Sequence, residues 1–169
     1  MNACHTFRNW RNFRLPMSPI EAIDATDMQI INLLQENSRL SFHKIAHKLG
    51  ISVGTAFNRI KSLEHRGILK SYTAIVDSNK VGYSQTAIIL VRAEGRYLLD
   101  VEKEVAGKDN VISVYDITGD FDFAVIARFK DRDGLNTFVK GLSAIPHVRR
   151  TVTNVALNVI KEDFRVRLR

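Results

Sequence analysis

A chain of 169 residues is long enough for one domain of common size or two small ones. With 45% hydrophobic and 25% charged residues it has the composition of a soluble globular protein, and no apolar run approaches the ~18 residues that would suggest a membrane span. The single cysteine, Cys4, excludes an internal disulfide, and a net charge of +7 permits nucleic acid as a partner without proving it.

One cysteine fits a reducing, cytoplasmic compartment, although cysteine-poor proteins also occur outside cells. The first sixteen residues, MNACHTFRNWRNFRLP, carry Arg8, Arg11 and Arg14 with three aromatics and no acid. They lack the apolar core of a secretory signal. Regular patterning begins only after Met17, so residues 1–19 are expected to be a poorly ordered basic extension, with Met17 a candidate start.

From Asp24 to Gln35, Met28, Ile31 and Leu34 recur at helical spacing, with Asp24 or Thr26 placed to cap the helix. Asn37-Ser38 breaks it. Ser41 then caps a second helix, Phe42 to Leu49, whose expected inner face is Phe42, Ile45, Ala46 and Leu49. Gly50 stands where a helix end favours a left-handed residue. Ser52 caps a third helix that ends at Gly67, with Ala56, Ile60 and Leu63 inward at i, i+4, i+7. Three helices with so short a connection between the last two have the spacing of a helix-turn-helix. The charge supports it: residues 39–70 hold seven basic side chains against Glu64 alone, whereas residues 79–169 hold fifteen basic and twelve acidic.

The third helix of such a unit enters the major groove with its N-terminal residues toward base edges. Ser52, Gly54, Thr55, Asn58 and Arg59 take those positions, and Lys44, Lys48, Lys61 and Arg66 suit phosphate. Each of these side chains taken singly also fits an ordinary solvated helix face.

Residues 68–82 predict a linking strand, Ile68 to Asp77, and a hinge. Then follow a strand (Gln85 to Ala93), a helix (Tyr97 to Ala106), two strands (Val111 to Thr118 and Phe121 to Phe129) joined at Gly119-Asp120, a helix (Asp133 to Ile145) and a last strand (Val148 to Ile160). The order βαββαβ over residues 83–163 is ferredoxin-like, and residues 164–169 form a basic tail. The fold class is therefore α+β. Strands apolar on both sides, such as Ala87 to Val91, predict an open sheet face covered by a second copy, a homodimer.

No catalytic constellation emerges, and nothing calls for a cofactor. His43 and His47 lie four apart but lack a third metal ligand, no phosphate-cradling glycine loop occurs, and Asp120 and Asp122 suit turn chemistry.

Three motifs in order carry a family resemblance: IDATDMQIINLLQENSRLSFHKIAHKLGIS, RIKSLEHRGILKSYTAIVD, and GDFDFAVIARFKDRDGLNTFVKGLSAIPHVRRTVTNVAL. With them the chain resembles the Lrp/AsnC (feast/famine) transcription regulators of bacteria and archaea over about Ile23 to Asp163. The resemblance implies a winged-type helix-turn-helix at the N-terminus, dimers assembling into tetramers or octamers, double-stranded DNA as partner, and a small effector, usually an amino acid. It places that effector near Gly119, Asp120, Phe121, Asp122, Thr151 and Thr153. Pro146-His147-Val148 departs from it, standing where many members have a glycine. Two rival readings share this architecture. One is a sirohaem-decarboxylating enzyme, with His147, Arg149 and Arg150 gripping tetrapyrrole carboxylates. The other is a non-specific architectural DNA-binding protein. The positive third helix counts against the enzyme.

Overall fold

Asp24 starts the first helix of the computed structural model, which describes residues 23–169; the basic extension expected over residues 1–19 and the question of Met17 lie outside the described residues. The Asp24 side chain accepts the Asp27 N–H at 2.8 Å, and Asp27 reaches back to the Asp24 N–H, a reciprocal cap. Helix α1 is Ala25–Glu36. Ser41 caps α2, Phe42–Leu49, and Gly50 closes it at φ 65°. Ser52 caps α3, Val53–His65. Ile30, Ile31 and Leu34 of α1, Ile45 and Ala46 of α2, and Ala56, Ile60 and Leu63 of α3 form one core. Each fully buried Ile or Leu contributes about 1.5–3 kcal/mol. Phe42 departs from its expected inward place. It is exposed and meets Phe57 of α3 edge to face, ring centres 5.3 Å apart.

Two units make up the described chain: residues up to Thr73 with Arg165–Arg169, and Ala74–Phe164. The last residues thus belong with the three helices. Leu168 packs at the edge of their core, and α1 grips the tail through Asn32 and Gln35.

The second unit runs β1 (Gln85–Ala93), a 3-10 turn at Gly95–Tyr97, α4 (Leu98–Ala106), β2 (Val111–Asp116), β3 (Phe123–Phe129), α5 (Arg132–Ser143) and β4 (Val148–Val155). The antiparallel sheet has the order β2-β3-β1-β4, the ferredoxin-like arrangement. Ala87, Ile89, Val91 and Ala93 of β1 alternate with more exposed residues and face a core completed by Val101, Val105, Leu135 and Leu142 of the helices. On the other face Ile88, paired with Asn154, is exposed, and Leu90 pairs with Val152.

Two expected strands differ. Residues 70–77 join no ladder among the described residues, and β4 ends at Val155 rather than Ile160. At the end of β4 a strand requires a partner for its backbone groups, and the pairing with β1 runs out at Ala156, whose N–H donates to the Thr86 carbonyl at 2.9 Å. Both segments leave large apolar side chains exposed, including Ile75, Leu157 and Ile160.

Candidate nucleic-acid interface and ligand site

The burial of Ala56, Ile60 and Leu63 turns the opposite side of α3 outward. Gly54, Thr55 and Asn58 are exposed there, with Phe57 beside them. Added bulk at Gly54 would meet nothing closer than the Ser52 hydroxyl at 3.9 Å, so the helix core does not require a glycine there. Ser52 is committed locally: its Oγ accepts the Thr55 N–H at 3.0 Å and lies 2.8 Å from the Thr55 hydroxyl. Thr55 therefore presents a hydroxyl that is oriented in advance.

Arg59 is engaged within the helical unit. Its guanidinium donates to Asp24 Oδ2 at 2.6 Å and Asp27 Oδ1 at 2.9 Å, and Asp27 is buried. These contacts tie α3 to the capped start of α1, and a base-reading arginine would have to break both. The Asp27 N–H and the Arg59 guanidinium hold the Asp24 carboxyl below the usual aspartate range, while both carboxylates raise Arg59 further. Among the described residues, no local pattern pointed to this pairing, because the partners lie 35 and 32 positions apart.

The cations expected at phosphate divide into two groups. Lys44 and Lys48 are exposed on one side of α2, one turn apart. Lys61 donates to Glu64 Oε2 at 2.7 Å, and the Tyr72 hydroxyl donates to Glu64 Oε1 at 2.9 Å. Lys61, then Tyr72, lower the Glu64 carboxyl; burial and Glu64 push Tyr72 up to about 12. Arg66 is the half-buried end of α3. His43 and His47 are both exposed, and no group of three metal-ligating side chains occurs among the described residues.

In the second unit, Gly119 (φ 119°) turns the chain between β2 and β3, and the Ile117 N–H bonds the Asp122 carbonyl at 2.9 Å. Asp122 Oδ2 accepts the Ala93 N–H at 2.8 Å. Arg92 Nε donates to the Asp120 carbonyl at 2.7 Å, and its Nη2 donates to the same oxygen. Gly119 to Asp122 are therefore one ordered loop. Thr151 and Thr153 are on β4, outside this loop. Their partners in β1 are the buried Val91 and Ile89, so they face the helices, and the Thr151 hydroxyl is 3.2 Å from Ser143 of α5. Glu102 on α4 has a buried Oε1 with no hydrogen-bond partner among the described residues. Burial, then the charges of Asp116 and Asp122, raise its carboxyl above the usual range.

His147 takes a backbone conformation that residues other than glycine rarely adopt. Its φ is 71°, the left-handed region that glycine enters freely. The ring stacks on Tyr97 at 3.5 Å, and its Nδ1 lies 3.4 Å from Glu94, which also meets Arg149 at 3.3 Å.

Comparison with known proteins agrees with both units. Residues 23–64 match the AsnC-type helix-turn-helix domain, and residues 86–166 match the Lrp/AsnC ligand binding domain. An HTH-type transcriptional regulator of Pyrococcus furiosus is 44% identical over 144 residues, 85% of this chain and 97% of the relative. The regulator FL11 of Pyrococcus horikoshii is 34% identical, covering 83% of this chain and 93% of its own. A transcriptional regulator of Neisseria meningitidis, solved with L-methionine, superposes with a TM-score of 0.78 at 27% identity, covering 85% and 95%. An AsnC family regulator of Agrobacterium tumefaciens gives 0.78 at 25% identity, covering 85% and 96%. The chain belongs to the Lrp/AsnC family and is a DNA-binding transcriptional regulator.

Proposed function

We propose that the protein is a cytoplasmic, sequence-specific regulator, not an enzyme, which binds operator DNA as a homodimer or a higher assembly. The observation that carries this reading is the outward face of α3. Gly54, Thr55 and Asn58 are free of the core on the helix that such units place in the major groove. Asparagine can pair bidentately with adenine, and the exposed Phe57 offers an apolar edge to a thymine methyl. Lys44 and Lys48 supply phosphate contacts; Lys61 and Arg66 join them at the far end of the helix. Two such helices, one per protomer, would meet successive grooves about one helical turn apart.

The second unit supplies dimerisation through the exposed sheet face around Ile88 and senses an amino acid at the Gly119–Asp122 loop. The methionine complex of the Neisseria relative supports the ligand class in general terms.

Footprinting on the DNA upstream of the protein's own gene, with and without a panel of amino acids, tests the reading. Discrete protections spaced by a helical turn and altered by one amino acid are expected. Uniform coating of every fragment would support the architectural alternative instead.

A further inference from the structure

Arg92 and Arg150 are direct partners across β1 and β4, so both project from the same face of the sheet. Like charges in that relation repel. Each guanidinium also stands beside the Phe121 ring, at 6.0 Å for Arg92 and 5.7 Å for Arg150. Neither has a carboxylate partner among the described residues, whereas their neighbour Arg149 is matched by Glu94. Arg92 has a visible task in holding the Asp120 carbonyl. Among the described residues Arg150 has only the ring. The Asp120 carboxylate, one residue from that ring, is exposed and also unpaired among the described residues.

We propose that this end of the sheet binds the side-chain carboxylate of an acidic amino acid, of the aspartate or glutamate class. The inference rests on the reading of the Gly119–Asp122 loop as the effector site, and it names the effector's chemistry. Arg150 takes the carboxylate as a planar fork, with Arg92 adding its charge, and this relieves the repulsion between the two arginines. Phe121 forms an apolar wall. Asp120 suits the α-ammonium. A polyanion such as a phosphate ester matches the arginines but is repelled by Asp120; an acidic amino acid carries both signs. A neutral amino acid leaves Arg150 without a counter-charge.

The test is calorimetric titration of the full chain with glutamate, aspartate, glutamine, asparagine, methionine and lysine at fixed ionic strength, repeated on Arg150→Gln. That variant leaves the Arg92–Asp120 contact in place. An acid is expected to bind at least about tenfold more tightly than its amide, and Arg150→Gln is expected to abolish the difference. Equal binding of acid and amide, or binding of methionine or lysine in preference, overturns the acidic class and leaves the amino-acid reading standing. If no amino acid binds, sedimentation of Arg150→Gln separates two failures. Weakened self-association would show that the carboxylate belongs to a second copy, which overturns a free ligand. Unchanged self-association would overturn both the ligand class and the effector reading of this loop.

Discussion

Asn32 holds Leu168 by both of its backbone groups. Asn32 Nδ2 donates to the Leu168 carbonyl at 2.9 Å, and the Leu168 N–H donates to Asn32 Oδ1 at 3.2 Å. One turn later Gln35 repeats the pattern with Val166, at 2.8 and 2.7 Å. Two carboxamides on one helix face thus act as a ladder for an extended tail. Asn32→Ala should cost about 1 kcal/mol, as should Gln35→Ala, while deletion of residues 165–169 should cost more because Leu168 also leaves the core edge. Hydrogen exchange of the α1 amides and the thermal midpoint check this; unchanged protection in the deletion variant would show that the tail contributes nothing to the helical unit.

Arg59→Ala should act on folding before it acts on recognition. The loss leaves the buried Asp27 without its cation, a defect of about 1–3 kcal/mol. Cognate and random DNA should then lose affinity alike, in step with the fall in stability. Asn58→Ala should leave the thermal midpoint in place and remove about 1–3 kcal/mol of discrimination at one base position. A variant series on single-base operator mutants separates the two behaviours.

Lys44→Ala and Lys48→Ala should each lower the salt dependence of DNA binding by about one unit, with little change in sequence preference. Lys61→Ala should do less, because Glu64 already offsets its charge. Equal slopes for all three variants would show that Lys61 leaves Glu64 for phosphate.

Glu102 imposes a pH dependence of known sign. Its folded carboxyl is raised, so the folded state holds the proton more tightly than the unfolded chain. That contribution is present below the ordinary glutamate value and is lost as pH rises through the raised one. Glu102→Gln should therefore stabilise the protein at neutral pH, by less than about 1 kcal/mol given partial exposure, and flatten the profile just above pH 4.5. Denaturant midpoints across that window report it.

At position 147 the backbone and the ring pull in opposite directions. His147→Ala removes the Tyr97 stack and keeps the left-handed strain; His147→Gly removes both. The glycine variant should be more stable than the alanine variant by about 1 kcal/mol. Paired urea melts give the difference directly.

Helix caps, helix faces and strand order were legible in the chain itself, because each depends on neighbours within a few positions. Ser41 and Ser52 cap where their hydroxyls reach the next turn, and Ala56, Ile60 and Leu63 recur at the helical period. What only the tertiary structure decided involves partners far apart in sequence. It brought Asp24 and Asp27 against Arg59, and it returned Leu168 to α1 across 136 positions. It also set Arg92 opposite Arg150 and turned Thr151 away from both. Local pattern specifies which way a side chain points from its own element; the packing of elements alone specifies what it meets there.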